Sequence, residues 1–356
     1  MAAAVLASPL NGNGHGPRAP EGRGFASVIV PTHNDGANIA PLLRRLLDEP
    51  VVGEIIVIAS ACRDETVPTV LEIAHEHDGT AHHGKVRLYV EAERSGKVAA
   101  VNFGIRETAM PAVVIVSGDV LPEPGAVGQV VQALQAPGVG MAGGRPAPVN
   151  PDDSPIGYAV QLLWRLHHRL ALHQPKLGEM IALRAEALCS LPRTSVDEAC
   201  YQALLEGEGW KSVYVPDAIV VNKGPTTAAD FIKQRRQVHT GHLWLRHKQG
   251  YTVPSLQPAL LVYELWRDLV AEGARTEPKR LAWTARAVAM EAWARFRARA
   301  DYVRGRENHV WEMVQSTKAP ALDADGVRPH HGQLLASPGL AQAAADQRGR
   351  QHELPL

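Results

Sequence analysis

Residues 25–60 read FASVIVPTHNDGANIAPLLRRLLDEPVVGEIIVIAS, and their pattern decides the fold. A β-branched run, Ser27-Val28-Ile29-Val30, stops at a Pro-Thr-His-Asn-Asp turn. Ile39, Leu42, Leu43 and Leu46 then recur at helical spacing, and a second apolar run, EIIVIAS, follows from Glu54. Continuous Val/Ile runs of this length read as strands covered on both faces, and the 3.6-residue period between them reads as an amphipathic helix. The unit repeats. ETVPTVLEIAHEH is a helix, KVRLYVEA a strand, KVAAVNFGIRETA a helix and AVVIVSGDV a strand. Such alternation predicts an open, mostly parallel α/β sheet flanked by helices, with ligands beyond the carboxyl ends of the strands.

Past Gly140 the pattern changes. Pro146, Pro148, Pro151 and Pro155 predict a loop. A helix over 156–173 follows, then the segment LGEMIALRAEAL and an acid-led helix, SVDEACYQALLEGEG. A strand, WKSVYVPDAIVVN, and helices over 226–249, 256–272 and 279–303 complete the ordered part. Composition divides the chain into a disordered leader over 1–24, an α/β domain over 25–250, a helical extension over 251–318 and a disordered tail over 319–356. Both ends are rich in Gly, Pro, Ala or Gln and lack apolar periodicity.

Composition excludes several classes of function. The 356 residues hold 37 Lys+Arg and 37 Asp+Glu, so the chain has no net charge with which to grip nucleic acid. Three cysteines without a CxxC pair argue against a disulfide framework and a structural zinc site. No apolar run approaches the ~20 residues that span a bilayer. The expected location is cytoplasmic. Residues 279–306 carry eight Lys/Arg against two Asp/Glu, interleaved with Trp283, Trp293, Phe296 and Tyr302. This stretch reads either as a peripheral contact with the inner face of a membrane or as a helix that packs its aromatics on the domain.

Four strand ends carry candidate chemistry. Pro31, Thr32, Asn34 and Asp35 form a turn with exposed donors, which suits a nucleotide or merely leads into a helix. Ser60 ends the second strand, where Asp64 is placed to cap the next helix and Cys62 reads as a packing thiol. Gly96-Lys97, with Asn102 a turn later, opens a helix where backbone N–H groups and a cation suit a diphosphate. Ser117-Gly118-Asp119 ends the fourth strand, and a carboxylate there can hold Mg²⁺ or Mn²⁺ together with phosphate oxygens. Further along, Asp197-Glu198 leads a helix as a candidate base or as a complement to its dipole. Gln234, Arg235, Arg236 and His239 offer donors for phosphate, or form a solvated basic face.

The succession PTHND, ASACRDET, SGKVAAVN, SGDVLPEPGAV, LGEMIALRAEAL, SVDEACYQALLEGEGW and QRRQV, over about residues 25–245, resembles the family-2 glycosyltransferases. The resemblance implies a GT-A fold and inverting transfer of a sugar from a nucleotide diphosphate. It places Pro31, Thr32, Asn34 and Asp35 on the nucleotide, with Lys97, Asn102, Ser117, Gly118 and Asp119 around the donor. Asp119 is the metal ligand, because Ser117 replaces the first acid of the Asp-x-Asp motif. Glu198 stands at the base position with Asp197 beside it, in reversed order to the family's Glu-Asp, so the resemblance leaves the base to either of the two. Gly178 and Glu179 face the acceptor. Ala59 and Ser60 replace the paired acids of the second strand end, so UDP is only the default nucleotide. Gln237 and Val238 replace the Arg-Trp of the processive synthases, which implies transfer of a single sugar to a glycan, a lipid-linked or a small-molecule acceptor. The altered motifs also fit a second class, a non-catalytic sugar-nucleotide-binding protein.

Overall fold

The computed structural model describes residues 24–77, 80, 82–273, 276–307 and 309–318. The leader and tail expected from composition lie outside these residues, apart from Gly24. Strand β1 (Ala26–Thr32) is fully buried and pairs in parallel with β2 (Val52–Ser60) on one side and β4 (Ala112–Val116) on the other. Strand β3 (Val86–Glu91) extends the parallel set beyond β2. The polarity then changes. Strand β7 (Met180–Arg184) runs antiparallel to both β4 and β6 (Val139–Pro148), while β8 (Lys211–Asn222) is parallel to β6 and antiparallel to the short β5 (Leu121–Pro122). The order is β3-β2-β1-β4-β7-β6-β8-β5.

Helices cover both faces, as the continuous apolar strands require. On one face α1 (Gly36–Leu47) buries Ile39, Leu42, Leu43 and Leu46, joined by Val70 and Ile73 of α2 (Thr66–Glu76) and by Val127, Val130 and Val131 of α4 (Ala126–Ala133). On the other face lie Val98 and Val101 of α3 (Lys97–Glu107) and Cys200, Tyr201 and Leu205 of α6 (Asp197–Gly207). Fully burying each such aliphatic side chain stabilises the fold by roughly 1.5–3 kcal/mol.

A third layer stands over the strand ends. Helix α5 (Pro155–His173) packs against α8 (Pro258–Ala271) and α9 (Pro278–Val303), and α7 (Ala228–Gln249) packs against α9. Tyr158, Leu162, Phe231, Ala287 and Met290 form its core. The carboxylate of Asp268 is fully buried in this layer, where Arg165 holds it through a fork of 3.0 and 3.1 Å and Arg169 stands at 3.5 Å. Helix α9 splits the two readings of residues 279–306. Trp283 packs on Tyr158 and Tyr302 on Trp244, whereas Trp293 and Phe296 stack on each other at the surface.

The loop expected around the prolines needs correction at its start. Pro146 and Pro148 lie inside β6, opposite Val220 and Asn222 of β8. The ladder to β7 ends at Gly143, so beyond it β6 is paired only to β8 and each proline's missing N–H falls on the unpaired side.

Candidate active site

A cavity of about 650 Å³ lies between the carboxyl ends of β1, β2 and β4 and the helical layer. Its size and position suit a small-molecule site in an α/β protein. Pro31, Thr32, Asp35, Ser60, Lys97, Ser117, Gly118, Asp119, Gly178, Glu179, Asp197, Glu198, Gln234 and Arg235 all line it. The sequence had singled out each of these.

At the β1 and β4 ends, two carboxylates share one cation. Asp35 accepts hydrogen bonds from the Thr32 hydroxyl (2.8 Å) and the His33 backbone N–H (2.9 Å) through Oδ2, while its Oδ1 lies 2.7 Å from Lys318 Nζ. The same ammonium reaches Asp119 Oδ2 at 3.0 Å. Burial raises the pKa of Asp35, helped by the negative charge of Asp119. For Asp119 burial acts in the same direction, but Lys318 and Lys97 outweigh it and hold the pKa below the ordinary carboxylate value. Gly118 makes this convergence possible. A Cβ there would stand 2.5 Å from Thr32 Oγ1 and 2.9 Å from Asp35 Oδ2.

The acidic pair sits at the start of α6. Lys97 Nζ lies 2.9 Å from Asp197 Oδ2 and 2.6 Å from Glu198 Oε1. The ammonium expected near the diphosphate is thus paired with both of these acids. The pair divides its charge unequally. Burial and then the Glu198 charge push Asp197 up to about 7. Burial also penalises the Glu198 charge, but Lys97 prevails and keeps its pKa low. Glu179 is likewise pushed up to about 7, first by burial and then by Asp119 and Glu198. It sits at φ 62°, a left-handed conformation that is strained for a residue with a side chain.

Four expected site residues do not line the cavity. Asn34 uses its side chain to shape the turn, accepting the Arg63 N–H at 2.8 Å. Asn102 exchanges two hydrogen bonds with the Leu191 backbone and so ties α3 to the segment before α6. Arg236 is ion-paired with Asp301 of α9. His239 is held by Glu291 at 2.6 Å, and burial pushes its pKa down to about 4. Asp64 and Cys62 behave as read. Asp64 accepts from the Thr66 and Gly36 N–H groups, and the half-buried Cys62 thiol is raised by burial.

The structure adds residues that no motif marked. Lys176, His167, Glu291 and Arg295 line the helical end, while Arg94, from the same Arg-Ser-Gly-Lys stretch as Lys97, lines the Asp35 end. The most distant in sequence is Lys318. Residues 309–318 cross the site as a strap, held by Trp311 Nε1 to the Ser195 carbonyl (2.9 Å), the Glu312 N–H to Gln237 Oε1 (2.8 Å) and Ser316 Oγ to Asp230 (2.6 Å). Gly96, at φ 93°, lets the strap pass close by, since a Cβ there would stand 3.0 Å from the His309 carbonyl oxygen.

Residues 27–193 match the family model described as Glycosyl transferase family 2. Over this stretch, a little under half of the chain, the sequence is similar to the family-2 glycosyltransferases. Glycosyltransferase AglE of Haloferax volcanii is 24% identical over 123 residues, which are 34% of this chain and 38% of that protein. The match thus spans well under half of that relative. The mannosyltransferase PcManGT from Pyrobaculum calidifontis, solved in complex with GDP-Man and Mn²⁺, superposes with a TM-score of 0.57 at 22% identity, over 80% of this chain and 88% of that one. The likeness shows a shared GT-A fold over most of the chain.

Proposed function

We propose that this chain is an inverting glycosyltransferase that moves a single sugar from a nucleotide-diphosphate sugar to an acceptor hydroxyl. One observation carries the reading. A cation seat between Asp35 and Asp119, and an acidic pair with one member poised near neutrality, open into the same cavity.

The residues fit a divalent cation. Among the described residues no three His, Cys, Asp or Glu side chains cluster as a self-sufficient metal site. Mg²⁺ and Mn²⁺ need only one or two carboxylates where phosphate oxygens and water supply the rest. The Lys318 ammonium, in contact with both carboxylates, marks where a single cation is favoured. Asp119 and Asp35 would hold the ion, which when bound offsets charge on the departing diphosphate. The ion and Lys318 are alternative occupants of that seat. The need for a cation also follows from charge. Asp35, Asp119, Glu179, Asp197 and Glu198 outnumber Lys97, Lys318 and Arg94 around the strand ends, so an anionic diphosphate enters a site already rich in carboxylates.

Asp197 is the stronger candidate base. A base is most effective when its pKa lies near the working pH, and Glu198 is kept ionised by Lys97. Asp197 accepts the acceptor's hydroxyl proton as that oxygen attacks the anomeric carbon, and the nucleoside diphosphate departs from the opposite face. Glu198 and Lys97 hold the carboxylate in place. The exposed Trp293 and Phe296, with Arg297 6.0 Å from the Trp293 ring centroid, support a peripheral lipid contact through α9.

Calorimetric titration with UDP, GDP and TDP, with and without Mn²⁺, tests the reading. One nucleotide is expected to bind saturably, and more tightly with Mn²⁺. Folded protein that binds none of them would overturn it.

A further inference from the structure

The far end of the cavity is chemically unlike the strand ends. Its walls are Leu162 and Leu166 of α5, Leu261 and Leu265 of α8, and Val288 of α9. It opens outward through an apolar rim. Val262 and Val288 both line the cavity yet are 66% and 47% exposed, with Trp266 beside them 55% exposed.

Between this apolar end and the acidic pair stands a group of cations with too few anions. Lys176 lines the cavity but forms no hydrogen bond or ion pair among the described residues. Arg235 and Arg295 share the single carboxylate of Glu291, at 3.0 and 3.1 Å. His167 and His242 also line the cavity. They are 7% and 4% exposed, and each has a buried Nδ1 without a partner. Burial, reinforced by Lys176 and Arg235, keeps both imidazoles neutral; burial and then Arg235 push Lys176 down to about 8, against the opposing charges of Glu198, Glu179 and Glu291. A lysine with no hydrogen bond or ion pair among the described residues, two arginines on one carboxylate and two imidazoles with unmet Nδ1 atoms leave this end of the cavity suited to an anion.

We propose that the acceptor is an amphiphilic phosphate ester. Its phosphate sits among Lys176, Arg235, His167 and His242, its chain lies between α5, α8 and α9, and its hydroxyl-bearing head points toward Asp197. The inference rests on the donor reading above and adds the acceptor class. Charge complementarity selects the phosphate and the apolar walls select the chain, so neither half alone satisfies the site. The rim at Val262 and Val288 is where a chain longer than the cavity leaves it.

The test uses the full chain and three probes: decyl phosphate below its micelle concentration, decanol, and inorganic phosphate. Binding is followed by calorimetry, with the preferred nucleoside diphosphate plus Mn²⁺ titrated in parallel. Decyl phosphate is expected to bind saturably and at least tenfold more tightly than either fragment. Lys176→Met and Val262→Glu should each weaken it about tenfold and leave nucleotide affinity unchanged. Val262 is mostly exposed, so its variant is expected to fold even if Lys176→Met does not. Decyl phosphate binding no better than inorganic phosphate, or indifferent to both variants, would overturn the proposal. So would a loss of nucleotide affinity in Lys176→Met, which would assign the cations to the donor. Failure of nucleotide binding in the wild-type protein would instead overturn the donor reading.

Discussion

The two ends of the cavity are built from different parts of the chain and by different means. The proposed donor end is made of strand termini, and each carboxylate of its two pairs already touches a lysine: Asp35 and Asp119 touch Lys318, and Asp197 and Glu198 touch Lys97. The far end is made of four helices, is mostly apolar, and holds Lys176, which forms no hydrogen bond or ion pair among the described residues. The contrast teaches where to look for specificity. Strand ends are fixed by the sheet and supply the chemistry common to donors, whereas helix faces can vary in side chain without disturbing the sheet.

The most damaging way to break the donor end is Asp197→Asn. It removes the proposed base, and kcat should fall on the order of 10²–10⁴-fold. The wild-type rate should rise with pH through about 7, because the base must lose its proton, and that rise should disappear in the variant. A preserved rise would move the role to Glu179, whose carboxyl titrates in the same range. The corresponding break at the helical end is structural. Asp268→Ala leaves Arg165 and Arg169 as buried cations without their carboxylate, which should cost about 3–5 kcal/mol in urea unfolding. A loss under about 1 kcal/mol, the range of an exposed pair, would show that the fork does not anchor α8 to α5.

Asp119→Ala should lower kcat by roughly 10²–10³-fold, the scale of losing one electrostatic contact to a developing anion. Near-normal turnover at saturating Mn²⁺ would remove Asp119 from the reaction. The smallest effect sharpens the contrast instead of breaking it. Lys318→Ala takes away the ammonium that shares the Asp35–Asp119 seat, so Mn²⁺ should bind about tenfold more tightly in equilibrium titration, close to 1.4 kcal/mol. Unchanged or weaker Mn²⁺ binding would show that Lys318 does not compete for the seat.

Much of the donor end was legible in sequence. Strand ends are set by apolar runs, and Gly118, Asp119, Asp35 and the Asp197-Glu198 pair stand at fixed offsets from them. Offsets place a residue, but they do not say what its side chain touches. Lys97 was correctly placed yet is claimed by two acids 100 residues further on. Asn102 and Arg236 carry suitable functional groups, but tertiary partners, Leu191 and Asp301, hold them away from the cavity. The prolines of β6 read as a loop because the unpaired side of a strand cannot be seen without its neighbours. Lys318 and Lys176 had no local signal at all. Each lies outside any motif, and each gains its meaning only when the strap and the helices fold over the strand ends.

If the strand ends form the donor site, nucleotide and metal bind there together. The most direct test is a crystal structure with Mn²⁺ and whichever nucleoside diphosphate binds best. The metal should lie on Asp119 and Asp35, with Lys318 displaced from both carboxylates and the nucleobase against Pro31, Thr32 and Ser60. A nucleotide bound among Lys176, Arg235 and the apolar helices, with Lys318 still seated between the two aspartates, would contradict it.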